Sequence, residues 1–437
     1  MPRILLAALL VLAVAMSGCK ITGSKTDNAQ AQFRLFNLAA GAGPINITKA
    51  NADGTDPTVQ ISSVAFGTAS SYKGFDSGAT NLYTVGLTSG SSTLFSTSYN
   101  LTANTNYTLI MFGTAGTPGG LLVADTTTSP NNGYFQIRPI HAAVGSALLD
   151  FYVTPVGTDI NSTAASFNSF NISGVGAFLQ FLAGDYQLRV TPANSKIVIY
   201  DSGKVTFSAG TIASAVIYTT GSGSLVNLQT MVQDSANTVT PVANLLSQFK
   251  VTHASPNSGA FNVLVDGVSK FSNVPYKGTS SYLPITAGTR NLGLQPVASP
   301  GSITAASNVN FSGGNDFSVV AVGNAGAVNM LVLQDNNLPP SAGYAKVRFV
   351  NASPDAPPLD VQVNFVTYVS GLAQNAASTY VQFLENTLPG YTMTVSITGS
   401  ATPALVIPGV LLTAGKTYTL YIVGPAVTLD STLSRDL

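Results

Sequence analysis

The chain carries only two histidines and one glutamate in 437 residues, so side chains able to move protons or hold a metal are few. His141 is followed nine residues later by Asp150, and His253 at the same interval by Asn262. A histidine and a carboxylate facing each other across a loop could form an acid/base dyad or half of a metal site. Zinc needs three or four nitrogen, sulfur or oxygen donors, and no third candidate stands near either histidine. The same interval recurs without histidine as Asn37/Asn46 and Asn351/Asp360, and asparagine is a poor zinc ligand. The expectation is therefore structural. Asn or His should hold the loop backbone by hydrogen bonds, with the Asp or Asn nine residues on as its partner. A His141–Asp150 contact would then be a charge-assisted structural bond.

Other chemistries find little support. Glycoside hydrolysis would call for two flanking carboxylates, for which Asp355 and Asp360 are the only pair that suggests itself. No Gly-x-Ser-x-Gly elbow is accompanied by a histidine placed to complete a triad. No Gly-Lys-Ser/Thr phosphate loop occurs, and no twelve-residue calcium loop ends in glutamate. An enzyme reading would need turnover that is lost on changing His141 or Asp150. No catalytic residue, metal or cofactor is expected.

The elements that position these residues repeat four times. The segments Phe33-Arg34-Leu35-Phe36-Asn37, Phe135 to His141, Phe249-Lys250-Val251-Thr252-His253 and Val347-Arg348-Phe349-Val350-Asn351 share one pattern. A cation (Arg34, Arg138, Lys250, Arg348) sits three residues before each Asn or His. An aromatic recurs downstream at Tyr72, Phe178, Tyr282 and Tyr380 and is expected as a core or strand anchor. The copies are offset by 104, 112 and 98 residues at the Asn/His position, enough for each to bury a core of its own.

Apolar and polar residues alternate in Tyr391 to Thr398 and at Tyr418, Leu420 and Ile422, the period of a half-buried strand. Turn-forming clusters every 8 to 12 residues indicate sandwiches or barrels. The fold class expected is all-β, four tandem immunoglobulin-like sandwiches of seven strands each, over 33–125, 133–234, 247–335 and 345–437. The joints fall at Thr126 to Asn132, Ser235 to Gln248 and Asn336 to Ala345, with a helical turn suggested over Val242 to Gln248. The Pro339-Pro340 pair should stiffen the last joint.

Charged residues make up 8% of the chain with a net charge of zero, which argues against a nucleic-acid partner. Arg3, the thirteen-residue apolar block Ile4 to Met16 and Ser17-Gly18-Cys19 read as a secretory signal over 1–18. A helix of that length rises about 20 Å and does not span a hydrocarbon core of about 30 Å. Because it ends on the chain's one cysteine, the segment resembles a bacterial lipoprotein signal, although Met16 stands where such signals usually carry Leu. The resemblance implies that Cys19 is acylated and tethers residues 19–32, as linker, to a lipid bilayer. Lys20 leans toward an outer-membrane destination.

Asn351-Ala352-Ser353-Pro354-Asp355-Ala356-Pro357-Pro358-Leu359-Asp360-Val361 resembles the opening of the bacterial domain-of-unknown-function family 4397 (DUF4397). Its members typically carry His-Ala-Ser-Pro-Asp-Ala-Pro, then Asp-Val and a stretch ending in Asp-Gly. Repeat 3 keeps His253-Ala254-Ser255-Pro256 and Asp266-Gly267, repeat 2 keeps His141-Ala142 and Asp150, and repeat 1 keeps only the spacing. The resemblance implies secreted or surface-anchored β-domains and brings no reaction. The function expected is a non-enzymatic, lipid-anchored cell-envelope array, acting as spacer or as adhesive module with a protein or glycan ligand. The alternative is a carbohydrate-binding lipoprotein using tyrosines at a domain joint, a reading weakened by the absence of tryptophan.

Overall fold

The computed structural model describes residues 30–436, apart from 91, 126–127, 220–224, 234–237 and 304. The signal segment and Cys19 lie outside the described residues. The protein is all-β: eight separate sheets, two per repeat, build four sandwiches, and two single-turn 3₁₀ segments are the helices among the described residues.

Repeat 1 sets the pattern with eight strands rather than the expected seven: β1 (Gln30–Asn37), β2 (Ile45–Asn51), β3 (Thr58–Val64), β4 (Lys73–Asp76), β5 (Thr80–Leu87), β6 (Thr93–Asn100), β7 (Asn106–Thr114) and β8 (Thr117–Asp125). One sheet runs β4-β1-β7-β8 and the other β3-β2-β5-β6. The additional strand arises because the segment after the last polar turn folds back on itself at Thr114–Thr117 as a hairpin. The sheet equivalent to β4-β1-β7-β8 reappears in each later repeat, around strands Tyr134–Ala142, Leu246–His253 and Tyr344–Asn351.

The residues between Val242 and Gln248 are not helical. Val239–Val242 is a fifth strand on the sheet of repeat 2, and Leu246–His253 opens repeat 3. Val, Thr and Pro are poor helix formers, and the strand edge of Asn227–Val232 satisfies their backbone instead. Within the expected joint over Ser235 to Gln248, strands thus occupy 239–242 and 246–248.

In β1, Phe33 and Leu35 enter the core of their own sandwich, whereas Phe36 points out of it and is nevertheless fully buried. The outer face of each such sheet packs on its neighbour. Phe36, Leu38, Ile110, Phe112 and Val123 of repeat 1 meet Ile140, Ala142, Val216, Tyr218 and Met231 of repeat 2. Ala254, Val320 and Val322 of repeat 3 meet Val350, Ala352, Tyr421 and Val423 of repeat 4 in the same way. Two-sided burial explains the near-continuous apolar runs of these strands, which a one-sided sheet would not show. The four sandwiches form two face-to-face pairs.

Gln32 lies opposite Asn106 in the parallel β1–β7 pairing, and Asn106 lies opposite Asp125 in the antiparallel β7–β8 hairpin. The chain therefore enters and leaves a repeat at one end, the base. The β1–β2 loop and the β7–β8 turn lie at the other, far end.

Candidate functional site

The four Asn/His residues occupy one geometry. Asn37 accepts from the Ala39 amide at 3.0 Å and donates to the Gly43 carbonyl at 3.0 Å. His141 Nδ1 accepts from the Ala143 amide at 3.2 Å, and Nε2 faces the Ala147 carbonyl at 3.4 Å. His253 repeats this with the Ser255 amide at 3.2 Å and the Gly259 carbonyl at 2.6 Å. Asn351 uses the Ser353 amide at 3.3 Å and the Pro357 carbonyl at 3.5 Å. Each ring or amide accepts from the second residue onward and faces the carbonyl of the sixth, which sets the histidines as neutral Nε2–H tautomers. Both ring nitrogens are engaged, which leaves none for a metal or a transferred proton. With exposures of 0% for Asn37, His141 and Asn351 and 1% for His253, solvent does not reach them. Burial pushes both imidazoles below their usual pKa, against the smaller upward pull of the Ala147 or Gly259 carbonyl.

The residue nine positions on is not their partner. Asn46 accepts from the Ser63 amide at 2.8 Å, Asp150 from Ser169 at 2.7 Å, Asn262 from Asn273 at 2.9 Å and Asp360 from Gly371 at 2.8 Å. Those four donors share a left-handed backbone, with φ of 55°, 47°, 53° and 66°. Each side chain thus secures a bulge on the adjoining strand. Among the described residues no hydrogen bond joins the two members of a pair. Asn37 sits in one sheet of the sandwich and Asn46 in the other, and the Asn37 amide crosses to the Val64 carbonyl at 3.0 Å rather than to Asn46. The Gly371 amide first, and then the Thr398 hydroxyl, hold the Asp360 carboxyl below the usual aspartate range. Among the described residues, no group of three His, Cys, Asp or Glu could hold a metal ion.

The cation and the recurrent aromatic, by contrast, are brought together. Arg34 lies over Tyr72 at 4.7 Å, Arg138 over Phe178 at 4.5 Å, Lys250 over Tyr282 at 5.3 Å and Arg348 over Tyr380 at 5.0 Å. Each is buried on the outer sheet face, where the repeats pair. Arg34 Nε donates to Thr108 Oγ1 at 2.8 Å and Arg138 Nε to Ser214 Oγ at 2.9 Å. The carboxylates that complete these sets belong to the neighbouring repeat: Asp125 for Arg138, Asp335 for Arg348, and Asp436 in direct contact with Lys250.

Burial, the largest single influence, works against the guanidinium charge of Arg348, but Asp335 together with Tyr380, Tyr421 and Asp436 outweighs it, so its pKa is raised. Beside it, burial pushes the Lys346 ammonium down to about 8. A buried cation over an aromatic face contributes about 2 kcal/mol within its own repeat, and the carboxylate contacts are what tie that cation to the neighbouring repeat.

Spacing from the Asn/His landmarks misses the three aspartates, because the loops between differ in length. A shorter interval holds them: Thr108 to Asp125, Ser318 to Asp335 and Thr419 to Asp436 are each seventeen residues apart and hydrogen-bonded at 2.9, 2.8 and 2.6 Å.

The family model described as a domain of unknown function, DUF4397, matches residues 31–152, 247–362 and 345–437. The chain belongs to the DUF4397 family. The second repeat is covered only through residue 152, and the matches over 247–362 and 345–437 fall on the motif-bearing repeats 3 and 4. No curated protein matches the chain. Among solved structures, the Bacillus anthracis TIE protein is similar at 11% identity and TM-score 0.15, over 87% of this chain and 67% of its own. The product complex of SpuA, a multi-modular glycogen-degrading pneumococcal virulence factor, is similar at 9% identity and TM-score 0.16, over 87% of this chain and 38% of its own. Likenesses at that level of superposition carry no argument. The DUF4397 repeats here make a β-rich modular protein, and none of the described helices is long and apolar enough to cross a membrane.

Proposed function

We propose that this DUF4397 protein is a non-enzymatic, lipid-anchored component of the cell envelope whose four sandwiches serve as a spacer or as an adhesive, protein-binding module. One observation carries the reading: the residues with chemical potential are closed into scaffold. His141 and His253 hold loop backbones, Asp150 and Asp360 hold bulges, and the buried cations clamp repeat to repeat. The anchor rests on the sequence from Arg3 to Cys19. Lys20 favours the outer membrane or cell surface over retention at an inner membrane. The carbohydrate-binding alternative would need open aromatic faces, and Tyr72, Tyr282 and Tyr380 lie over cations instead.

Two measurements test this. The wild-type protein should fractionate with membranes and yield an acylated N-terminal Cys19 peptide by mass spectrometry, and Cys19→Ser should release it. Equal membrane attachment of Cys19→Ser would end the anchor reading. The soluble mature form, probed on protein and glycan arrays, should show either no ligand, as a spacer, or a protein ligand. Saturable binding confined to glycans would favour the alternative.

A further inference from the structure

We infer that a pair of repeats, together with strand Val239–Val242 as a return strand, is the building block of an end-to-end stalk. This rests on the spacer half of the reading above and gives it a mechanism. A repeat whose entry and exit share one end cannot be strung in line with the next, so repeats 1 and 2 stand side by side. The strand Asn227–Val232 ends at the base of repeat 2. Val239–Val242 then pairs antiparallel along it, with Val239 opposite Met231 and Val242 opposite Leu228, and carries the chain to the far end. Pro241 is admissible there because the strand lies at a sheet edge, where one side of the backbone has no ladder partner.

At the far end the connection is built rather than loose. The Tyr200 hydroxyl donates to the carbonyls of Val242 and Ala243, both at 3.3 Å. Asn244 accepts from the Asp201 amide and donates to the Val226 carbonyl, each at 3.2 Å. Leu245 donates to the Asp201 carbonyl at 2.7 Å and accepts from the Ala287 amide, at the base of repeat 3, at 2.8 Å. A second seam lies over repeat 1. Gly41, at its far end, faces the joint between repeats 3 and 4 so closely that a Cβ there would stand 2.6 Å from the Pro339 carbonyl oxygen. A cavity of about 440 Å³ between Thr117, Val144 and Lys416 marks the same seam.

Pair 3/4 therefore rides on the far end of pair 1/2. The first described residue, Gln30, is at the base of the lower pair. The loops opening with His253-Ala254-Ser255-Pro256 and Asn351-Ala352-Ser353-Pro354 lie at the far end of the upper pair. Strands of nine residues span about 30 Å, so the stack places these loops about 60 Å from the base.

The test is a spin-label distance in the full mature chain with Cys19 replaced by serine. Labels go on Ala52→Cys, in the exposed β2–β3 loop at the base of repeat 1, and on Val427→Cys, 91% exposed at the far end of repeat 4. A narrow distribution near 60 Å is expected. A maximum near 30 Å, or a spread over several tens of ångströms, would overturn the stalk. Adding Thr240→Pro and Val242→Gly should broaden the distribution while the unfolding of the pairs is retained. A distribution left narrow would remove the return strand from its role. The distance does not depend on acylation, so loss of anchoring with the stalk intact, or the reverse, separates this inference from the anchor reading.

Discussion

Asp335, the last residue of the final strand of repeat 3, holds Arg348 Nη2 of repeat 4 at 2.6 Å, and neither side chain is more than 3% exposed. Lys250 of repeat 3 meets Asp436, the equivalent residue of repeat 4, so the two contacts are reciprocal about the pair. In pair 1/2 Arg138 faces Asp125 at 3.6 Å, and repeat 2 carries the uncharged Gln233 where the other repeats carry the aspartate. The rest of the set is shared, with the Tyr282 hydroxyl donating to Asp335 at 2.5 Å and Tyr72 donating to Asp125.

Arg348→Ala leaves Asp335 buried without its cation. Breaking a buried pair in this way costs about 3–5 kcal/mol. Urea unfolding of the full chain should show that loss in the transition of pair 3/4. A change below about 1 kcal/mol would place the ion pair among contacts of surface strength. Arg348→Met with Asp335→Leu should recover part of the loss, because no orphaned charge remains.

The histidines predict a pH dependence of known sign. Unfolded, each takes up a proton near its ordinary value of about 6.5. Folded, Nδ1 already accepts a backbone N–H and burial resists the charge, so the pKa is lowered. Stability is therefore full above about pH 6.5 and falls as pH drops toward the folded values, by at most about 1.4 kcal/mol per pH unit per histidine. The double variant His141→Asn, His253→Asn uses the residue that repeats 1 and 4 already place there. Its melting temperature should change less than that of wild type between pH 7.5 and 5.5, and equal changes would contradict the assignment.

Asp150 receives the Ser169 amide at 2.7 Å and the Asn194 amide at 3.1 Å. Asp150→Ala leaves both without that acceptor, at a cost of about 1–3 kcal/mol. Hydrogen exchange at Ser169 and Asn194 should quicken before the rest of repeat 2 responds. Uniform exchange across the repeat would show that Asp150 supports the whole sandwich rather than one bulge.

Gly41 has φ +75° and no room for a Cβ beside Pro339. Gly41→Ala should open the seam between the two pairs while leaving each pair folded. Limited proteolysis should then cut within 336–343 faster than in wild type, with an unaltered circular dichroism spectrum. Unchanged cleavage would mean that the seam absorbs a methyl group without parting.

The fourfold repetition, the all-β class and the DUF4397 resemblance were legible in the sequence. Periodicity and turn chemistry are local properties, and they repeat whenever the unit repeats. The run Phe33-Arg34-Leu35-Phe36 even carried a hint of two-sided burial, because a cation stands between apolar residues that do not alternate. What covered the second face was not local. Arg138 and Asp125 are close in sequence yet belong to different sandwiches, while Lys250 and Asp436 are 186 residues apart in sequence, and only sheet packing brings either couple together. The expected Asn/His to Asp/Asn contacts failed for the same reason, since nine residues were enough to cross from one sheet to the other. Val239–Val242 reads in sequence as part of a joint, and its role as a strand came from the edge it found. Sequence determined the repeating unit, and tertiary structure alone decided how the units pair and stack, because those contacts depend on faces assembled from distant strands.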